Sequence, residues 1–124
     1  MPKTSHVLLT LFATVACSVA AIDGKLLEKA EQGNADAQFS VGVLYANGQG
    51  TLKDPKKAFE WFLKSAEQGD ASAQYNVGVR YAKGEGTLKN LKKAAFWIKK
   101  ANAGGHENSS KVWELFELWK YDSE

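Results

Sequence analysis

Two consecutive stretches decide the fold: AEQGNADAQFSVGVLYANGQGTLKDPKKAFEWFLKS (Ala30–Ser65) and AEQGDASAQYNVGVRYAKGEGTLKNLKKAAFWIKKA (Ala66–Ala101). Laid over each other without a gap, they agree at 22 of 36 positions. Self-similarity at a fixed period of this length marks a repeat architecture, in which one supersecondary unit stacks on the next. Glycine carries much of the match. Eight of the eleven glycines fall in pairs 36 apart: Gly33/Gly69, Gly42/Gly78, Gly48/Gly84 and Gly50/Gly86. A third copy is expected to begin at Ala101-Asn102-Ala103-Gly104, set against Ala66-Glu67-Gln68-Gly69 after a one-residue contraction, and to continue for one helix.

Each unit reads as two helices. The first, over Ala35–Asn47, carries Ala37, Val41, Gly42 and Tyr45 at i, i+4, i+5 and i+8, a narrow apolar stripe with a small residue beside it. Asn34 or Asp36 can cap its start, and Gly48 is placed for a left-handed C-terminal cap. The second begins at Asp54-Pro55, a capping acid followed by proline at the first helical position. Ala58, Trp61, Phe62, Ser65 and Ala66 make its buried face, and Gly69 ends it. Gly42 and Gly78 sit mid-helix, where glycine costs ~1 kcal/mol relative to alanine. Close approach of a neighbouring helix, or room for Trp61 or Trp97, offsets that cost. Trp61 and Trp97, themselves 36 apart, are the expected occupants of the space.

The flanks of the repeats follow. Asp23 to Gln32 reads as a capping helix covering the first hairpin with Leu26, Leu27 and Ala30. Asn108 to Tyr121 reads as a helix with Val112, Leu115, Phe116 and Trp119 turned inward at i, i+3, i+4 and i+7.

Ahead of the repeats, Val7 to Ala21 (VLLTLFATVACSVAA) is 15 residues without charge, preceded by Lys3 and ending in small residues. A short basic region, an apolar run and a small-residue exit predict a secretory signal over residues 1–21. The run falls short of the ~20 residues that span a bilayer. The other reading is a buried N-terminal helix. Cleavage after Ala20 or Ala21 removes one charged residue, Lys3, and lowers the net charge from +2 to +1. Ala16-Cys17 also fits the end of a lipoprotein cleavage site, with Thr14 where leucine is usual, so lipidation at Cys17 is a variant of the same expectation. Plain cleavage leaves the exported chain with no cysteine, which suits an oxidising compartment. The expected division is then a signal peptide (1–21), a capping helix (22–33), two repeats (34–104) and a C-terminal capping helix (105–124).

The pattern A-x-x-x-W…A-E-Q-G-x-A-x-A-Q-x-x-x-G-x-x-Y-x-x-G-x-G resembles the Sel-one-like repeat, a relative of the tetratricopeptide repeat with units of this length. It reads here as Ala58, Trp61, Ala66 to Gly69, Ala71, Ala73-Gln74, Gly78, Tyr81, Gly84 and Gly86. The earlier copy reads Ala30 to Gly33, Ala35, Ala37-Gln38, Gly42, Tyr45, Gly48 and Gly50. Val41 and Val77 stand where leucine is commoner. The resemblance implies an all-α fold, a short α-solenoid of antiparallel helix hairpins in which each unit touches only its neighbours. It also implies a non-catalytic protein-interaction module, an adaptor or an inhibitor of a partner protein, binding along the concave wall lined by the first helix of each unit. With Gly42 and Tyr45 inward, that wall receives Asp36, Phe39, Val43 and Asn47. The second unit offers Ser72, Tyr75, Val79 and Lys83. Phe39 and Tyr75 are either interface anchors or packing residues between adjacent helices.

Trp113, Leu118 and Tyr121 lie off the inward stripe of the last helix and form either a self-association surface or part of a large cap. Lys53, Lys56 and Lys57 match Lys89, Lys92 and Lys93, with Lys99 and Lys100 added, as a solvated face or a basic ridge for an acidic partner or anionic lipid. A net charge of +2 argues against a nucleic-acid partner. One cysteine, with histidines only at 6 and 106, argues against a metal site, and no cofactor is expected. His106 is expected at a helix start or on the surface. No Ser-x-x-Lys, H-E-x-x-H, P-loop or G-x-S-x-G occurs. Some cysteine-rich relatives are linked to β-lactam chemistry, which makes an enzyme acting on cell-wall or β-lactam substrates the alternative. Their paired cysteines are missing here. The expected setting is the periplasm or the exterior of a bacterial-type cell, with membrane attachment only through a lipidated Cys17.

Overall fold

The computed structural model describes residues 21–123. The expected signal sequence, apart from Ala21, lies outside the described residues, with Cys17 and His6. Six α-helices follow in order: α1 (Gly24–Glu31), α2 (Ala35–Asn47), α3 (Pro55–Glu67), α4 (Ala71–Lys83), α5 (Leu91–Ala103) and α6 (Ser109–Leu115). A 3₁₀ turn at Leu118–Tyr121 comes last, and no strand occurs among the described residues. Each helix packs on the one before and the one after it, the connectivity of a solenoid.

Local chemistry sets the helix ends. Asn34, Asp54, Asp70 and Asn90 each accept a backbone N–H three residues on, from Ala37, Lys57, Ala73 and Lys93, at 2.8–3.0 Å. Gly48 and Gly84 close α2 and α4 with left-handed φ of 67° and 74°. The turn that follows is held in both units by the same bond, Asp54 N–H to the Tyr45 carbonyl (2.9 Å) and Asn90 N–H to the Tyr81 carbonyl (2.8 Å).

The mid-helix glycines do admit a close neighbour, but it is not tryptophan. A Cβ on Gly42 would lie 2.8 Å from the Phe62 ring, and a Cβ on Gly78 would lie 2.5 Å from Ile98 Cδ1. Phe62 and Ile98 are fully buried and also 36 apart. Trp61, one residue earlier and so turned by about 100° around the helix, is half-buried. It lies against the small cluster of Ala30, Ala37 and Val41, with Lys64 Nζ 4.5 Å from its ring centroid. Leu26 and Leu27 of α1 cover that same cluster, so α1 caps the first hairpin. The larger core runs from Ala58, Phe59 and Phe62 through Ala73, Val77 and Tyr81 to Ala94, Ile98, Val112 and Leu118.

The third unit keeps the 36-residue register without contraction. Asn34, Asp70 and His106 each donate a backbone N–H to the carbonyl five residues earlier, of Lys29, Ser65 and Ala101. Gly105, not Gly104, is therefore the equivalent of Gly33 and Gly69. Gly104 takes the place of Gln68, and a Cβ there would lie 2.9 Å from Ala71 Cβ.

The C-terminal helix is shorter than expected and its inward set differs. It stops at Leu115, and Glu117 takes a left-handed φ of 51°. The break turns Leu118 inward to full burial, while Leu115 is 75% and Trp119 47% exposed. Val112 is buried and Phe116 half-buried, as expected. Fully burying a leucine is worth roughly 2 kcal/mol. That offsets the cost of roughly 1–2 kcal/mol for one left-handed non-glycine residue. Leu118 therefore belongs to the core and not to a surface, and Trp113 packs half-buried against it.

Candidate partner-binding face

The first helices are held in place by a polar ladder at the unit boundaries. Gln38 Nε2 donates to the Ala30 carbonyl (3.0 Å) and Gln74 Nε2 to the Ala66 carbonyl (3.2 Å), so each glutamine caps the preceding helix from inside. Gln68 Nε2 donates back to Gln38 Oε1 (2.6 Å), and Ser65 Oγ to the Ala35 carbonyl (2.8 Å). The second boundary has Gly104 and Ala101 at those last two positions and closes by backbone approach instead. Changing Gln38 to leucine leaves the buried Ala30 carbonyl without this donor, which costs about 1–3 kcal/mol. A urea titration of the variant measures it.

With α2 and α4 so fixed, the eight residues expected at the partner face fall at i, i+3, i+7 and i+11 on each helix, opposite the buried Ala37, Gln38, Val41 and Gly42 and their counterparts. They do not form a uniform surface. Phe39, Val43, Tyr75 and Val79 are half-buried against the larger core. Asp36, Asn47, Ser72 and Lys83 are exposed around them. The Phe39 ring lies 5.4 Å from that of Phe62, tilted by 52°. Tyr75 stacks on His106 at 4.1 Å and 19°. His106 occupies the slot that Asn34 and Asp70 fill as helix caps. α6 starts two residues later than its counterparts, with no side-chain cap, and the imidazole packs on Tyr75. The 36-residue spacing of 34, 70 and 106 is the signal for this placement.

Arg80 is a further residue at the seam between units. It replaces Leu44 of the first unit, and its guanidinium carbon lies 5.0 Å from the Phe62 ring centroid and Nη1 3.6 Å from Glu85. Burial lowers its pKa, and the Glu85 charge opposes that shift. Beside it a cleft of about 460 Å³ is lined by Ala46, Asn47, Lys53 and Pro55 on one side and Arg80 and Gly84 to Gly86 on the other. Gly86 is required there, because a Cβ would collide with the Pro55 carbonyl. A shallower depression of about 340 Å³ lies between Ser72 and the Gly105–Asn108 turn. Among the described residues, no group of three or more His, Cys, Asp or Glu side chains is gathered as metal ligands would be. No helix among them is long and apolar enough to cross a membrane.

The comparisons with known proteins agree with this geometry. The Sel1 repeat family matches residues 35–70 and 71–106, the uncontracted register seen in the hydrogen bonds. A Sel1 repeat protein from Oxalobacter formigenes superposes with a TM-score of 0.70 at 38% identity, over 72% of this chain and 67% of its own. A protective antigen of uropathogenic Escherichia coli with an SLR fold gives 0.65 at 41% identity, over 68% of this chain and 18% of its own. Cysteine-rich protein B of Helicobacter pylori gives 0.67 at 26% identity, over 70% and 65%. No curated protein matches the chain. The fold and its interlocking units define an α-solenoid repeat protein. The chain belongs to the Sel1 repeat family, whose members are generally protein-interaction modules.

Proposed function

We propose that this chain is a non-catalytic binding module that takes a protein or peptide partner along the concave face formed by α2 and α4. The observation that carries this reading is the alternation on that face. Phe39, Val43, Tyr75 and Val79 are anchored in the core yet half open, and exposed Asp36, Asn47, Ser72 and Lys83 surround them. Anchors already fixed by packing lose little freedom on binding, and a polar rim supplies specificity. The charge-free run Val7–Ala21 supports an envelope or secreted setting, in which the module would act as an adaptor or as an inhibitor of its partner. The mass of the mature N-terminus tests that setting: a start at Ala21 or Ile22 means a soluble form, and a diacylated Cys17 an anchored one.

The binding face is tested by affinity capture from the native envelope with the parent protein and the Phe39→Ala/Tyr75→Ala variant. A protein retained by the parent and lost by a variant that melts as a folded solenoid supports the face. Equal retention by both places binding elsewhere.

A further inference from the structure

A second surface lies on α5, away from the face just described. Lys92, Lys93, Phe96, Lys99 and Lys100 fall at i, i+1, i+4, i+7 and i+8, one side of a helix that contains no acidic residue. The first unit provides an internal comparison. Its equivalent residues on α3 are Lys56, Lys57, Glu60, Leu63 and Lys64. Three lysines repeat, but the central Glu60 becomes Phe96, and Leu63 becomes Lys99. A face that needed only solvation would keep the acid, which offsets the lysines and prefers water. Here the second unit puts a 53% exposed aromatic ring in the middle of four cations.

The chain after Leu118 folds back along this side and builds a second wall. Tyr121, Asp122 and Ser123 face Phe96 and the lysines across a cleft of about 720 Å³. Lys100 Nζ sits 4.8 Å from the Phe96 ring centroid. The Asp122 carboxylate oxygens lie 3.1 and 3.3 Å from Lys99 Nζ, so one carboxylate already enters the cluster along the groove. Among the described residues, no carboxylate pairs with Lys92, Lys93 or Lys100.

We propose that this cleft docks an acidic peptide segment with an aromatic or leucine side chain among its carboxylates. The apolar side chain would sit between Phe96 and Tyr121, while the flanking carboxylates meet Lys92, Lys93 and Lys100. Charge complementarity favours an anionic occupant. A cleft with two walls fits one chain segment better than the plane of a bilayer, which is met by protruding side chains.

The test uses the full chain and a fluorescein-labelled peptide of sequence GSDEFDEGS, read by fluorescence anisotropy at low salt. Saturable binding is expected. It should weaken about tenfold or more with Phe96→Glu, which restores the first unit's residue, and with Lys92→Glu/Lys93→Glu. The peptide GSNQFNQGS should not bind, and Phe39→Ala/Tyr75→Ala should leave binding unchanged, which separates this site from the partner face. The lysine variant changes exposed residues only and decides the matter if Phe96→Glu alters folding. Absence of saturable binding, or binding indifferent to both variants, overturns the proposal. So does partition onto phosphatidylglycerol vesicles that needs Phe96 when the peptide does not bind, because the surface would then be a membrane contact.

Discussion

Replacing Phe62 with alanine lowers stability by about 3–5 kcal/mol, as large-to-small changes of buried aromatics do. Its side chain is 1% exposed and fills the space left by Gly42, with Phe39 and Arg80 on its other sides. Native stabilities run near 5–15 kcal/mol, so the loss takes much of the total. Urea unfolding followed by far-ultraviolet circular dichroism measures it. The same contact reverses the sign of a second substitution. Gly42→Ala in an exposed helix would stabilise by ~1 kcal/mol. Against the intact ring it should destabilise by about 1–3 kcal/mol, because its Cβ overpacks the core. In a Phe62→Ala background, Gly42→Ala should become neutral or favourable. Additive effects would mean that glycine and ring are not in contact.

The second large effect is at the C-terminus. Leu118→Ala should cost about 2–5 kcal/mol, since Leu118 is fully buried where α5, α6 and the 3₁₀ turn meet. Leu115→Ala and Trp119→Ala should each cost within about 1 kcal/mol, because neither side chain is buried. The opposite ranking would require one continuous helix from Asn108 to Tyr121, with Leu115 and Trp119 inward. Thermal melts of the three variants distinguish the two arrangements.

Those two sites also mark what the sequence could and could not convey. Helix boundaries in the first repeat were legible from Gly48, Asp54-Pro55 and Gly69, with Asn34 and Asp36 both open as the cap of α2, and the 36-residue match carries them to the second repeat. The close approach at Gly42 and Gly78 was legible too, since a mid-helix glycine needs a reason. Its partner was not. Identity between units singles out Trp61 and Trp97, whereas the contact is made by Phe62 and Ile98, which differ in identity and share only burial. The break after Leu115 carries no glycine or proline and follows from tertiary demand for Leu118, which periodicity alone cannot register. The Gly104-Gly105 doublet led to a third unit expected one residue too early, because Gly104 offers the same residue type as Gly105 and His106 stands where Asn or Asp caps the earlier helices. At the partner face, spacing was enough to group the eight residues on two helix sides. It could not separate the four half-buried anchors from the four exposed ones, because that depends on packing against α3 and α5.

On the proposed function, the side of α2 and α4 turned away from Gly42 and Gly78 meets a protein partner. Photo-crosslinking tests it most directly, with a benzophenone amino acid placed singly at the exposed Asn47 and Lys83 on that side, and at the exposed Glu60 and Lys64 on α3 as controls. Positions 47 and 83 are expected to join the same partner protein, and positions 60 and 64 are not. Crosslinks to that partner from positions 60 and 64, with none from 47 and 83, would contradict it.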